Sequence, residues 1–233
     1  MKAFLLAAGL GTRLRPLTDR LPKCMLPIQG TPLLGIWLDA FAGAGVDEVL
    51  VNLHYLPEVV VDYLSRRTGP PTVRTTFEPE LLGSAGTLLA NQAWVAAETM
   101  FLACYADNLT DFDLRRLADA HMSQGGPATL TLFRTDQPRS VGIVELDDYG
   151  LVTAFTEKPA HPSGDLANAG MYAFSPSVLD HIDGTAPLDI GYNLLPKLVG
   201  KARGLVLDCY FRDIGTPESY HKAKQDWKRR TKA

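Results

Sequence analysis

The sequence predicts an α/β fold in which a mostly parallel sheet is covered on both faces by helices. In residues 1–133, apolar runs typical of buried strands alternate with segments of helical periodicity. Such alternation is typical of strand–helix–strand units, whose crossover helices cover both faces of a parallel sheet. With 233 residues, the chain can bury about 70–75% of its unfolded surface, so we expect one well-cored domain.

The first part of the chain supplies five predicted strands and four predicted helices. Glycine, proline and polar residues bound these segments, and the helices carry apolar residues at intervals of three and four. The strands cover residues 3–8, 46–53, 73–77, 100–105 and 128–133, and the helices cover residues 32–44, 57–66, 84–94 and 113–121.

The order of elements changes after residue 140. A hairpin is predicted from strands 142–146 and 151–155, joined by the turn Asp147-Asp148-Tyr149-Gly150. A strand at 171–174, a helix at 188–199, a strand at 203–210 and a helix at 217–230 follow. The regular alternation of the first part therefore ends at the hairpin.

The overall composition excludes several classes of protein. A net charge of −3 gives no electrostatic support for a nucleic-acid surface, and no apolar run approaches the ~20 residues of a membrane span. The three cysteines lie far apart, which suits a reducing compartment. We therefore expect a soluble, cytoplasmic protein with no nucleic-acid or membrane partner.

The first predicted strand runs into a loop that carries glycines and cations. Gly9 and Gly11 follow the strand, and Arg13 and Lys23 come soon after. Glycine allows a sharp turn and lets an anion approach main-chain amides, while arginine and lysine pair with phosphate oxygens. The loop therefore predicts a site for phosphate groups.

Three other interpretations of this loop compete with a phosphate site of this kind. A dinucleotide-binding loop would need a glycine in place of Leu14 and an acidic residue at the end of the next strand, near Asn52 and His54. A Walker loop would need a Gly-Lys-Ser/Thr sequence, which the loop lacks. The plainest alternative is a strand-to-helix turn with surface arginines.

The same stretch resembles the sugar-1-phosphate nucleotidylyltransferases, also called sugar-nucleotide pyrophosphorylases. Their common pattern corresponds here to Gly9-Leu10-Gly11-Thr12-Arg13-Leu14, Pro16, Thr18 and Pro22-Lys23. The resemblance implies a three-layer α/β/α sandwich with a mixed, mostly parallel central sheet, as one domain over residues 1–233. The nucleotide would bind to about residues 1–135 and the sugar to about residues 136–220. The C-terminal β-helix of some relatives would be missing.

A second segment, residues 78–86, resembles the base-binding loop of the family, in which the position of Glu78 reads the base. A carboxylate suits guanine, which presents N–H donors on its pairing edge. The alternative is a helix N-terminus with acidic residues near its positive end. With the first loop, the expected nucleotide-binding residues are Ala7, Ala8, Gly9, Gly11, Thr12, Arg13, Glu78, Gly83, Ser84 and Ala85.

Two aspartates at distant points of the chain are candidate ligands for Mg²⁺. Asp107 follows the fourth predicted strand, at the edge where open α/β sheets bind their ligands, and Asp213 follows the last strand. Magnesium prefers one or two carboxylates together with phosphate oxygens and water. The positions resemble the metal-binding aspartates of the family, although Ala106 replaces the usual glycine before Asp107. Asp113, close by, is expected to cap a helix instead.

A third group of residues resembles the sugar-binding segments of the family. In these segments a glutamate holds sugar hydroxyls and the following lysine meets the sugar phosphate, as Glu157 and Lys158 would here. A polyol needs carboxylate and amide partners, and its phosphate needs a cation. The expected sugar-phosphate-binding residues are Lys23, Gly142, Glu157, Lys158 and Asn168. The alternative for Glu157 and Lys158 is an exposed ion pair at the end of a strand.

The resemblance implies an Mg²⁺-dependent enzyme that transfers a nucleotidyl group from an NTP to a sugar 1-phosphate. GTP and a mannose- or heptose-type sugar are favoured, and Arg13, Lys23 and Asp107 would be catalytic. Uridylyl or thymidylyl transfer to another sugar 1-phosphate is the enzymatic alternative. A non-catalytic regulatory subunit that binds a nucleotide sugar is the alternative of another class. The sequence leaves open whether the chain forms a homodimer.

Overall fold

The computed structural model describes residues 1–230. Two of its helices begin at residues that favour a helix N-terminus. Pro57 occupies the first turn of α2, where its missing N–H is not needed. The side chain of Asp113 accepts the Arg115 N–H at the start of α5, as expected of a helix cap. The helices are α1 (Leu33–Gly43), α2 (Pro57–Arg66), α3 (Ser84–Ala90), α4 (Gln92–Val95), α5 (Leu114–Gln124) and α6 (Pro217–Arg230).

The strands fall into two groups, one before residue 111 and one after residue 127. The first group contains β1 (Lys2–Leu6), β2 (Pro27–Ile28), β3 (Thr31–Pro32), β4 (Glu48–Leu53), β5 (Thr72–Phe77), β6 (Phe101–Tyr105) and β7 (Asn108–Thr110). The second group contains β8 (Ala128–Arg134), β9 (Gly142–Leu146), β10 (Val152–Glu157), β11 (Leu166–Phe174), β12 (Arg203–Val206) and β13 (Phe211–Asp213).

One large sheet has the strand order β10-β9-β11-β6-β1-β4-β5, and β8 and β12 attach to it through β11. β1 pairs in parallel with β4 and β6, and β4 pairs in parallel with β5. β11 runs antiparallel to β6, β8 and β9, so the sheet is mixed. Because β1, β4, β5 and β6 are parallel, the loops at their carboxyl ends lie side by side at one edge.

Apolar residues cover both faces of this sheet. In β1, Ala3 and Leu5 pack into a core with α1, α2, α5 and α6, whereas Phe4 and Leu6 pack into a second core with α3 and α4. All four side chains are at most 9% exposed. Alternate residues of a strand point to opposite faces, so two separate cores require helices on both sides. The predicted three-layer α/β/α sandwich is confirmed.

Several predicted elements differ from those in the structure. The single helix predicted over residues 188–199 is wrong, because Ile190–Leu194 forms a π-helical turn and Leu195–Leu198 a 3₁₀ turn. Pro196, which has no N–H to donate, lies at the start of the second turn. The predicted helix 84–94 is divided at Asn91, the strand predicted at 203–210 ends at Val206, and β11 begins five residues before its predicted start. Of the helices within residues 1–230, none is long and apolar enough to span a membrane.

Candidate functional site

Two adjoining cavities open at the edge where the parallel strands end. The first has a volume of about 300 Å³ and the second about 250 Å³. Tyr105, Asp107 and Asp189 line both of them, so the cavities meet at the carboxyl end of β6. Open α/β sheets bind their ligands at this edge.

The cavities bring together most of the residues that the sequence predicted. The first is lined by the predicted nucleotide-binding residues Ala7, Ala8, Gly9, Glu78, Gly83 and Ser84, and also by Lys23 and Asp107. The second is lined by Gly142, Glu157, Lys158 and Asn168, and also by Asp107 and Asp213. Four predicted residues are described by the structure but do not line either cavity, namely Gly11, Thr12, Arg13 and Ala85.

The first loop is anchored at its turn and open at its start. Gly11 adopts a left-handed conformation with φ of +63°, and its carbonyl accepts the Thr18 hydroxyl at 2.8 Å. Leu14 is fully buried and fixes the 3₁₀ turn Thr12–Leu14 against the core. A Cβ built at Gly9 would meet no atom within 4 Å, because this residue faces the first cavity. The loop thus leaves free space over Gly9 while its turn is held firmly.

A lysine and two aspartates form a charged cluster where the cavities meet. Lys23 Nζ lies 2.7 Å from Asp107 Oδ2 and 3.5 Å from Asp213 Oδ1. The Ile214 N–H donates to the Asp107 carbonyl and holds the two chain segments together. Desolvation in the cleft and the charge of Asp107 raise the pKa of Asp213, whereas Lys23 and Arg13 oppose this shift. The cluster is therefore an electrostatic balance among groups that come from three distant segments.

This geometry fits a single divalent cation. The carboxylates of Asp107 and Asp213 already converge on one cationic group, and their oxygens are the ligands that Mg²⁺ prefers. Within residues 1–230, no group of three or more His, Cys, Asp or Glu side chains could hold a metal ion. A cation at the two aspartates would therefore need further oxygens from a ligand or from water.

Gly215 lies at the centre of the same cluster, although the sequence analysis did not select it. A Cβ there would lie 2.8 Å from Asp213 Oδ1, 3.2 Å from Lys23 Nζ and 3.2 Å from a guanidinium nitrogen of Arg13. Any side chain at this position would therefore push the charged groups apart. The same contacts bring Arg13 to the cluster, even though it does not line the cavities.

The predicted base-binding loop is braced by the segment around Leu188. The carbonyl of Leu188 accepts the N–H groups of Ala85 and Gly86 at 2.9 and 3.1 Å, and its own N–H donates to Leu82. A Cβ on Gly83, which has φ of +77°, would lie 2.3 Å from the Leu188 oxygen. Ala85 is fully buried, so this residue braces the loop rather than lining the cavity.

Ser84 connects the loop to a residue that the sequence analysis missed. Its hydroxyl donates to Asp189 Oδ2 at 2.9 Å and accepts from Tyr105 and from the Ile190 N–H. Asp189 lines both cavities. The predicted helix over residues 188–199 placed this aspartate in a helical first turn, so no local pattern marked it as a candidate site residue.

Glu157 is held between two glycines in the second cavity. A Cβ on either Gly142 or Gly191 would lie 2.6 Å from Glu157 Oε2. Burial raises the pKa of Glu157, Lys158 lowers it and the charge of Asp189 raises it further. Gly191 lies 34 residues further along the chain than Glu157 and was also missed, because only the folded structure shows their proximity.

Asn168 lies on β11 and lines the same cavity. Its Nδ2 donates to the Tyr172 hydroxyl at 2.6 Å, and its Oδ1 accepts the Gly170 N–H at 3.1 Å. Gly170 has φ of +72°, and a Cβ there would lie 2.4 Å from the Tyr105 ring. The amide of Asn168 is thus fixed in position beside the cavity.

Comparisons with known proteins match this chain to one family. The profile of the family described as Nucleotidyl transferase matches residues 2–230. Mannose-1-phosphate guanyltransferase from Debaryomyces hansenii is 35% identical over 227 residues, which are 94% of this chain and 62% of that protein. Mannose-1-phosphate guanylyltransferase 1 from Arabidopsis thaliana is 35% identical over 228 residues, which are 94% of this chain and 63% of that protein. The chain thus spans somewhat less than two thirds of the length of these relatives.

Solved structures share the whole fold. The crystal structure of HddC from Yersinia pseudotuberculosis has a TM-score of 0.82 and 25% identity, and the match covers 97% of this chain and 99% of that one. The family match extends over nearly all of the described residues, and the motifs that suggested the family lie around the two cavities. This chain belongs to the nucleotidyl transferase family.

Proposed function

We propose that this protein transfers a nucleotidyl group from an NTP, with GTP favoured, to a sugar 1-phosphate, with a mannose- or heptose-type sugar favoured. The products are an NDP-sugar and pyrophosphate. The proposal depends above all on one observation, the cluster of Lys23, Asp107 and Asp213 where the two cavities meet. Two anionic substrates held in adjoining cavities would place their phosphates at this cluster.

The first cavity is assigned to the nucleotide and the second to the sugar phosphate. Gly9 leaves open space for phosphate oxygens, and Glu78 offers a carboxylate in the same cavity. In the second cavity Glu157 and Asn168 offer a carboxylate and an amide for sugar hydroxyls, and Lys158 offers a cation for the phosphate. The names of the two relatives, both mannose-1-phosphate guanylyltransferases, support GTP and mannose 1-phosphate as the first substrates to test.

The reaction needs no nucleophile from the protein. A phosphate oxygen of the sugar 1-phosphate forms a bond to the α-phosphorus of the NTP, and the bond from that phosphorus to the oxygen bridging to the β-phosphate breaks. Pyrophosphate leaves with the electron pair of the broken bond. The work of the protein is then to position two anions in line and to offset their repulsion.

The cationic side chains would supply much of the positive charge that offsets the repulsion between the two anionic substrates. Lys23, at the junction of the cavities, would hold the attacking phosphate, and Arg13 would stabilise the departing pyrophosphate. Asp107 and Asp213 would hold Mg²⁺, which when bound neutralises charge on phosphate oxygens and polarises the α-phosphoryl group. Removal of Arg13 should therefore lower turnover by roughly 100-fold or more without unfolding the protein.

A pyrophosphate-release assay tests the proposal. The purified protein is incubated with each of four NTPs and with several sugar 1-phosphates, in the presence of Mg²⁺ or of a chelator. Metal-dependent release with one preferred pair is the expected result. Tight nucleotide-sugar binding without any release would instead support a regulatory subunit, and Arg13→Ala at the wild-type rate would refute the assigned role of the arginine.

The remaining expectations concern assembly and location. Cys24, Cys104 and Cys209 are free thiols, and the first two are buried, which supports a reducing compartment such as the cytoplasm. Homodimer formation is open to direct measurement of the mass in solution by light scattering.

A further inference from the structure

Asn52 occupies a buried position from which it contacts several walls of the first cavity. It lies near the carboxyl end of β4, is 4% exposed and lines the cavity. Its Oδ1 accepts the Ala7 N–H at 2.7 Å. Its Nδ2 donates to Glu78 Oε1 at 2.9 Å and to the Thr87 hydroxyl at 3.0 Å. Both polar atoms of the amide are therefore used within the protein.

These bonds connect three segments that are distant in sequence. Ala7 begins the first loop, Glu78 begins the predicted base-binding loop, and Thr87 lies on α3. The network formed by Asn52, Glu78 and Thr87 is almost completely shielded from solvent, since each of the three residues is at most 4% exposed. Buried polar groups with every bond satisfied specify one arrangement, because each lost bond leaves an unpaired group in the interior.

The network also decides which oxygen of Glu78 is available to a ligand. Oε1 accepts from Asn52 Nδ2 and from the Thr87 hydroxyl, at 2.9 and 2.5 Å. Oε2 accepts the Leu82 N–H at 3.1 Å. A carboxylate oxygen accepts about two hydrogen bonds, so Oε1 is saturated while Oε2 retains one position for a further donor. Glu78 thus offers the cavity a single acceptor in a fixed orientation.

We propose that Asn52 is a positioning residue for base selection, because it saturates Glu78 Oε1 and thereby fixes the one oxygen that a base can reach. This inference rests on the proposed function in assigning the first cavity to a nucleotide. Without the amide, Glu78 Oε1 and the Ala7 N–H lose a partner, and the carboxylate can turn. The protein would then distinguish less sharply between a base with N–H donors on its pairing edge and a base with fewer of them.

The test measures dissociation constants for GTP and for UTP by titration calorimetry, separately from turnover. Asn52→Leu has nearly the same shape but no hydrogen-bonding groups, and Thr87→Val removes the second bond to Oε1 while keeping the shape of the side chain. We expect the preference for GTP over UTP, measured as the ratio of the two affinities, to fall at least fivefold in Asn52→Leu. In Thr87→Val the ratio should also fall, but by less. Glu78→Gln should also change the ratio, since it alters the acceptor itself.

Asn91→Leu provides the matched control. Asn91 is a half-buried amide on the same side of the sheet, and its Nδ2 donates to the Thr87 carbonyl at 2.9 Å. It does not line either cavity, so its removal should leave the affinity ratio within twofold of the wild type. A purely structural role for Asn52 would weaken both nucleotides equally and leave the ratio unchanged.

The outcomes separate this inference from the proposed function. If the wild type binds nucleotide but releases no pyrophosphate, the proposed function fails while the affinity ratio still decides the role of Asn52. If Asn52→Leu does not fold, Thr87→Val decides it. An unchanged ratio in the folded variants overturns the inference, and so does a wild type that binds neither nucleotide.

Discussion

A methyl group added at Gly9 should weaken nucleotide binding without reducing stability. The added Cβ would meet no atom within 4 Å, and Gly9 is outside the left-handed φ range that disfavours alanine. At such a position Gly→Ala changes the free energy of unfolding by no more than about 1 kcal/mol, on the side of stabilisation. The same methyl group occupies the space in which a phosphate oxygen would approach the loop.

The expected loss of binding follows from one hydrogen bond between an amide and a charged phosphate. Such a bond contributes about 1.5–3 kcal/mol, so the dissociation constant for GTP should rise roughly tenfold to a hundredfold. Gly11→Ala is the contrasting variant. Its φ of +63° and a Cβ 3.0 Å from Thr18 Cγ2 should cost about 1–2 kcal/mol of stability.

Urea unfolding followed by circular dichroism measures the free energy of unfolding of each variant. Calorimetric titration measures the dissociation constant for GTP. The reasoning is refuted if Gly9→Ala binds GTP within twofold of the wild type. It is refuted equally if Gly9→Ala is as unstable as Gly11→Ala, because the space over Gly9 would then be filled in solution.

Three further predictions concern the charged cluster, the second cavity and the core. Lys23→Met should reduce kcat by roughly 100-fold or more, because Asp107 and Asp213 lose their common cation and the substrates lose theirs. Glu157→Gln should raise the KM for the sugar 1-phosphate at least tenfold and leave the KM for the NTP nearly unchanged, as steady-state kinetics would show. His121 is 2% exposed and burial lowers its pKa from 6.5, so the unfolded chain binds the proton more readily. The free energy of unfolding is therefore highest above pH 6.5 and falls as the pH decreases below it, by up to about 1.4 kcal/mol per pH unit. His121→Gln should remove this pH dependence, as urea unfolding at several pH values would show.

Each of these predictions has a clear opposing result. Wild-type turnover in Lys23→Met would mean that the ammonium is only a structural partner of the aspartates. An equal rise in both KM values for Glu157→Gln would place the glutamate between the substrates rather than in the sugar cavity. Identical pH slopes for the wild type and His121→Gln would mean that the ring, which contacts Thr129 and Ser175 in the folded protein, binds a proton as readily there as in the unfolded chain.

The sequence was most informative where local pattern and chemistry coincide. The run at residues 3–8 and the strand near 100–105 are short, apolar and bounded by polar residues, and they form β1 and β6. Asp107 follows the parallel strand β6 and therefore lies at the ligand-binding edge of the sheet, and the antiparallel pairing of β13 with β7 brings Asp213 beside it. The resemblance to a family then indicated which of many loop residues to select.

The sequence was least informative where function depends on long-range contacts. In the sequence, Asn52 is notable only because it stands where a dinucleotide-binding loop would need an acidic residue. Its hydrogen bonds to Ala7 and Glu78 span 45 and 26 positions, so no local pattern reveals them. Asp189 is hydrogen-bonded to Ser84 across 105 positions, and the irregular turn that presents it lies where the sequence predicted a regular helix. Hydrogen bonds of this kind are determined by the packing of the whole sheet.

The bracing of the base-binding loop by Leu188 affects attempts to alter nucleotide preference by exchange of segments. Gly83, Ala85 and Gly86 all contact the main chain of that residue, which comes from the part of the sequence that also forms the second cavity. A loop transplanted alone from a relative would have to match a foreign backbone that accepts hydrogen bonds at 2.9 and 3.1 Å and leaves no room for a side chain at position 83. Chimeras should therefore carry both segments together, and libraries that vary one segment should vary the other with it.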